Sequence, residues 1–238
     1  MIYLGCAGWS ISRTYAAQLA GEGSHLQRYA RQLTAVEINS SFYRPHRPAS
    51  YTRWAGAVPP GFRFSVKLPR AISHERRLVD CAQALAEFFA QCTALGSAMG
   101  CVLVQLPPSL AFEPLLVERF MADVRKVYPG PVALEARHPS WAEAGPLMEQ
   151  LQVALVGADP ARFALDAQPR GWSGLAYWRL HGSPRTYFSD YPSTWLQALA
   201  PQLLARAEAG AATWCIFDNT AGDAALGDAL ELQTLLGN

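Results

Sequence analysis

The residues able to do chemistry in this chain gather at the ends of short β-rich runs. Glu37 and Asn39 share one face of the run 35–39, opposite Val36 and Ile38. Arg63, Ser65 and Lys67 oppose Phe62, Phe64, Val66 and Leu68; Glu135 and Arg137 oppose Leu134 and Ala136. Tyr177, Arg179 and His181 oppose Trp178 and Leu180. Alternate strand residues face opposite sides, and the apolar set must cover a helix layer, so the polar set points the other way.

Glu37 and Glu135 are the acid/base candidates, because a partly desolvated carboxylate has a tunable pKa. His181 and Asn219 are candidate assisting groups. Lys67, Arg70, Arg137 and Arg179, joined by His74 and His138, suit an anion such as phosphate or carboxylate, since guanidinium forks bind two oxygens at once. Asn39, Tyr43 and Trp141 complete the expected ligand-binding set. Trp9, Phe42, Tyr43, Trp141 and Tyr187 follow strand ends, where aromatics stack on a sugar or base, or close the core. A structural alternative is a lumen filled with ion pairs such as Glu37–Lys67 or Glu135–Arg137. Against it, each buried ion costs several kcal/mol unless well paired.

No resident cofactor is expected. His74, His138, His181, Glu135 and Asp159 could converge on a divalent metal, but their spacing matches no ligand motif. Gly5-Cys6-Ala7-Gly8 is too short for a dinucleotide fingerprint, and no nucleophile elbow is present.

Eight β-rich runs could position these groups: 2–7, 35–39, 63–68, 101–106, 132–137, 153–158, 175–181 and 213–218. Between several of them the apolar residues recur at helical spacing, in 80–95, 113–127 and 223–236, with Gly96 and Gly210 where helices should end. Alternating strands and helices imply parallel pairing, and eight units most often close into a (β/α)8 TIM-type barrel. Barrel enzymes place their sites at the C-terminal strand ends, where the charged groups fall. The exception is the sixth unit: 160–174 holds Pro160, Pro169 and two glycines and has no helical pattern. An open doubly wound sheet is the competing architecture.

A chain of 238 residues, half of them hydrophobic and 16% charged, has material for one large core and reads as a single domain. Its net charge of +1 does not support a nucleic-acid partner. No apolar run approaches the roughly 18 residues needed to cross a membrane, so no membrane partner is expected. The opening Met1-Ile2-Tyr3-Leu4-Gly5 reads as a strand rather than a secretion leader. Five cysteines (Cys6, Cys81, Cys92, Cys101, Cys215), with no Cys-x-x-Cys pair, fit free buried thiols in a cytoplasmic protein.

Several of these segments resemble a known family. Gly8-Trp9-Ser10, EINSSFYRP (37–45), SVKLPRAISHERRL (65–78), QLPPS (105–109), LEARHPSW (134–141), YWRLHGSPRTY (177–187) and FDNT (217–220) are similar, in that order, to the YecE-like family, formally domain of unknown function 72. The resemblance runs from first strand to last and implies a barrel without naming a reaction. The short, proline-containing segment after the sixth strand departs from it. The leading functional expectation is an enzyme acting on a small anionic substrate by acid/base chemistry. The alternatives are a non-catalytic binder of an anionic metabolite or nucleic-acid end, and a metal-dependent phosphodiesterase-like barrel. The last rests on fold analogy alone.

Overall fold

A computed structural model describes residues 1–237. Parallel strands and helices alternate: β1 (Ile2–Cys6), α1 (His25–Tyr29), β2 (Ala35–Ile38), α2 (Pro48–Ala55), β3 (Arg63–Lys67), α3 (Ala82–Cys92) and β4 (Met99–Gln105). There follow α4 (Pro114–Val127), β5 (Val132–Glu135), α5 (Gly145–Gln150), β6 (Val153–Leu155), β7 (Gly157–Asp159) and β8 (Arg170–Gly171). The described chain closes with β9 (Leu175–Leu180), α6 (Ser193–Glu208), β10 (Ala212–Phe217) and α7 (Ala224–Leu235). Helical periodicity located α3, α4 and α7 to within a few residues. Gly96 (φ 55°) and Gly210 (φ 90°) do follow helix ends, each with a positive φ.

The ladders form two sheets, β1-β10-β9-β7 and β2-β3-β4-β5-β6-β8, rather than one continuous sheet of eight. The expected sixth strand is split at Val156, so β6 pairs with β5 while β7 pairs with β9. The short β8 pairs antiparallel with β6, which departs from an all-parallel arrangement. As the prolines foretold, 160–174 forms no α-helix; it holds a 3-10 turn at Ala164–Ala167 and the short strand β8.

The first and second strands meet at a seam. One parallel bridge joins Ala7 to Glu37, and the Tyr29 hydroxyl accepts from the Cys6 amide (2.8 Å) while donating to the Ala35 carbonyl (2.9 Å). A side chain thus stands where a ladder bond would be. Gly5 is required here, because a Cβ would lie 1.9 Å from the Ala35 carbonyl oxygen.

Two cores follow from strand alternation. Val36, Ile38, Phe64, Val66, Val104, Leu134, Trp178 and Leu180 pack outward against the helices. Ala35, Cys101, Leu103, Ala133 and Ala154 of one sheet meet Leu175, Tyr177, Trp214 and Ile216 of the other. Along each inward face the side chains change from apolar to polar toward the C-terminal end: Ala35 to Glu37, Leu103 to Gln105, Ala133 to Glu135, Tyr177 to Arg179, Ile216 to Asp218. That gradient builds the site.

Candidate functional site

Arg179 is the centre. Its guanidinium has no exposed surface, and its Nε and Nη2 donate to the two oxygens of Glu37 at 3.0 and 2.7 Å. Its Nη1 reaches Asp218 Oδ2 (2.9 Å) and Glu135 Oε2 (3.3 Å). Carboxylates from both sheets therefore converge on one cation, a fork geometry suited to arginine. Tyr177 Oη, inward from the same strand, lies 3.0 Å from both Glu37 Oε2 and Ser65 Oγ.

Glu135 is almost wholly buried and fully engaged. Gln105 Nε2 donates to Oε2 (3.0 Å), and Oε1 accepts from Arg137 Nε (3.0 Å) and Nη2 (2.8 Å). Burial alone would raise its pKa, but His181, Arg179 and Arg137 outweigh it and hold the carboxyl well below the usual carboxylate range. His181 lies between two carboxylates, Nδ1 3.1 Å from Asp218 Oδ2 and Nε2 3.1 Å from Glu135 Oε1. Both ring nitrogens can be donors only in the imidazolium. Burial opposes that charge, yet Glu135 and Asp218 win and raise the His181 pKa. Asp218 is held low despite burial, chiefly by Arg179 and His181.

Lys67 stands beside this knot without joining it. Its Nζ donates to Asn39 Oδ1 (3.1 Å) and lies 4.3 Å from the centre of the Phe42 ring. Burial, then the nearby Arg179 charge, lowers its pKa to about 8 against the attraction of Glu37, Glu135 and Asp218.

The knot opens into a cavity of about 430 Å³ lined by Glu135, Arg137, Arg162, Asp166, His181 and Tyr187, among others. Arg137 retains 19% of its side-chain exposure there, and Arg162 is exposed.

The structure thus brings together Glu37, Asn39, Lys67, Glu135, Arg137, Arg179 and His181 of the expected set. Others lie apart. Arg70 is exposed, 3.6 Å from Glu75, and with Tyr43 lines a separate cavity of about 510 Å³. His138 accepts from the Ser140 amide (3.3 Å) and caps the turn that follows it. Trp141 is buried and donates to the Leu110 carbonyl (3.0 Å), a core role. Asn219 turns away, donating to Ser189 O (2.8 Å) and Asp228 Oδ2 (2.6 Å). His74 stands at the edge of the site, 2.9 Å from Ser73 Oγ, with its pKa lowered by burial and then by Lys67, Arg70 and Arg137. Of the aromatic rim, Tyr187 alone lines the cavity beside His181; Trp9 packs edge-on against Trp54. Among the described residues, no group of three or more His, Cys, Asp and Glu side chains is arranged to hold a metal ion. Asp159, once grouped with them, accepts from Tyr191 Oη (2.9 Å).

Two residues of the knot, Asp218 and Gln105, were not singled out as site residues from sequence. Asp218 continues the inward alternation of Trp214 and Ile216, and Gln105 that of Cys101 and Leu103, so the same rule applied to those strands finds both.

Fold and site together define a mixed α/β protein with parallel sheets and a buried ionic knot at its strand ends. The chain belongs to the DUF72 family, described as proteins of unknown function, whose model matches residues 3–238. It is 29% identical over 171 residues to the UPF0759 protein YecE of Escherichia coli K12, covering 71% of this chain and 60% of that one. It is 26% identical over 147 residues to the UPF0759 protein YunF of Bacillus subtilis, covering 59% of this chain and 52% of that one. The matches thus span only about half to three-fifths of these relatives. A DUF72 family protein of Enterococcus faecalis V583 superimposes with a TM-score of 0.85 at 21% identity, covering 100% of this chain and 96% of that one. A DUF72 family protein of Thermotoga maritima gives 0.80 at 22% identity, covering 100% of both. No helix among the described residues is long and apolar enough to cross a membrane.

Proposed function

We propose that this chain is a single-domain barrel that binds a small phosphorylated or carboxylated substrate at the Glu135–Arg137–His181 cavity and acts on it by acid/base chemistry. The observation that carries this reading is the His181 ring, held between Glu135 and Asp218 and bordering the cavity. A histidine whose pKa is raised by the carboxylates beside it, and that borders the cavity, is positioned to exchange a proton with a bound oxygen. Arg137 and Arg162 supply the anion contacts. Arg179, saturated by carboxylates, fixes the geometry instead.

Barrel closure is supported by the Ala7–Glu37 bridge on one side and by the uninterrupted chain from Val153 to Asp159, which passes from one sheet into the other. Charge balance also favours a reading without a divalent ion, because the Arg179 guanidinium already occupies the point where three carboxylates meet. A cytoplasmic location is supported by five buried cysteines, all free.

Isothermal titration with inorganic phosphate and simple phosphomonoesters tests the reading. Wild-type protein should bind at millimolar concentration or below, and Arg137→Ala should weaken binding by on the order of 1–3 kcal/mol. Absence of binding, with a neutral sugar bound instead, would sink it.

A further inference from the structure

We propose that the substrate is a phosphorylated sugar or polyol, and that Asp166 selects it by accepting hydrogen bonds from its hydroxyls. The inference rests on the anion-binding reading above and narrows the ligand class.

Three segments wall the cavity: the end of β5, the chain from Ala158 to Asp166, and His181 with Thr186 and Tyr187 beyond β9. Two carboxylates face it, and they differ in how well they are satisfied. Glu135 is surrounded by donors from Gln105, Arg137, Arg179 and His181. Asp166 keeps 14% of its side-chain exposure, and its ionic contact is Arg170 at 3.6 Å, beyond hydrogen-bond reach. Arg170 instead donates from Nη2 to the Trp141 carbonyl (2.9 Å) and from Nη1 to the Ala142 carbonyl (3.4 Å). Burial raises the Asp166 pKa more than Arg170 lowers it, as befits a carboxylate short of donors. A partly buried acceptor in that state gains from any donor a ligand brings.

Charge decides which donor fits. An ammonium at Asp166 would meet Arg170 beside it, with Arg137 and Arg162 lining the same cavity. A hydroxyl donates without adding charge, and the two carboxylate oxygens can accept from two neighbouring hydroxyls at once. Such a ligand also offers His181 an oxygen with which to exchange a proton.

The rest of the wall suits a short carbon skeleton. Ala136, Ala158 and Pro160 are apolar, and the Tyr187 ring stands edge-on to His181 with centroids 5.7 Å apart. Tyr187 has a left-handed backbone (φ 72°), fixed by its amide donating to the His181 carbonyl and its carbonyl accepting from the Ala221 amide (3.0 Å). Backbone strain held in place on both sides is typical of ligand-binding positions. A volume of about 430 Å³ lies near the lower end of small-molecule sites, about 300–1,000 Å³, and suits one sugar phosphate rather than a dinucleotide.

The test is isothermal titration of the full chain at neutral pH with ribose 5-phosphate, n-butyl phosphate and inorganic phosphate. The two esters share the anionic group and differ in their hydroxyls. Ribose 5-phosphate should bind wild type at least about ten-fold tighter than n-butyl phosphate, the scale of one hydrogen bond to a charged group. Asp166→Ala should remove most of that preference while binding inorganic phosphate no more weakly than wild type, since a negative charge is lost. Should Asp166→Ala fail to fold, Asp166→Asn keeps the volume and should still lower the preference several-fold. Equal binding of the two esters by wild type, or the full preference persisting in a folded Asp166 variant, overturns the inference. If inorganic phosphate binds in that case, the anion-binding reading stands; if no phosphate compound binds, both fall.

Discussion

Replacing Arg179 by methionine removes the charge that gathers three carboxylates while keeping much of the side-chain volume. Taking the carboxylate carbons as about 4 Å from the guanidinium, each attraction is about 4 kcal/mol at an effective dielectric of 20, so the gross loss exceeds 10 kcal/mol. The measured loss is capped well below that, because the folded variant can take up a proton instead. For a carboxylate with an ordinary pKa of about 4.3, that uptake costs about 3.7 kcal/mol at pH 7 and about 1 kcal/mol at pH 5. The variant should therefore be less stable by on the order of 3–5 kcal/mol at pH 7, the usual range for breaking a buried ion pair. The penalty should shrink by about 1.4 kcal/mol per pH unit on acidification, since the folded variant then binds one more proton than its unfolded chain. Wild type moves the other way: the depressed Glu135 and Asp218 contribute stability above their ordinary values that is lost as pH falls through their folded ones. Urea unfolding of both proteins at pH 5, 6 and 7 gives the comparison. A penalty under about 1 kcal/mol, or one independent of pH, would refute the reasoning.

Other outcomes follow from the same geometry. The His181 imidazole should titrate above its ordinary value of about 6.5 in NMR spectra and move down in Glu135→Gln, and a wild-type midpoint at or below that value contradicts the double carboxylate contact. Its contribution to stability is present below about 6.5 and lost as pH rises through the elevated folded value. Gly5→Ala should cost on the order of 3 kcal/mol or prevent folding, because the Ala35 carbonyl must move; an unchanged thermal midpoint counts against the seam. All five thiols should resist iodoacetamide in the native protein and react once unfolded, Cys6 in particular being pushed up to about 12 by burial. Any linked pair in the non-reduced mass spectrum disproves the free-thiol arrangement.

Alternation along the strands was enough to find Glu37, Lys67, Glu135 and Arg179, because each lies within a ladder where the two-residue period holds. The residues that fell elsewhere lie beyond a last ladder residue. Arg70 follows Pro69, His138 and Trp141 sit at a 3-10 turn beginning at Pro139, and Asn219 comes two residues after β10 ends. Where a turn begins there, side-chain direction is set by turn geometry, whereas Arg137, His181 and Asp218, one or two residues past their ladders, still keep the strand alternation. The grouping of bases had the same weakness: Arg70, placed with Arg137 and Arg179 by sequence, lies apart beside Glu75, whereas Asp218 joins the knot. The break at Val156 was also hidden, since 153–158 reads as one apolar strand although its two halves pair with different neighbours.

The position of Arg179 has a consequence for how the molecule opens. Two sheets joined by few ladder bonds would ordinarily fluctuate as two cooperative units, each with its own protection against hydrogen exchange. Here Glu37 and Glu135 come from the six-stranded sheet, while Arg179 and Asp218 extend from strands of the four-stranded one. Neither sheet can separate from the other without exposing unpaired charge in a water-poor interior. Amides on β2, β5, β9 and β10 should then share one exchange free energy, so that a side-chain ion cluster, rather than continuous backbone pairing, makes unfolding all-or-none.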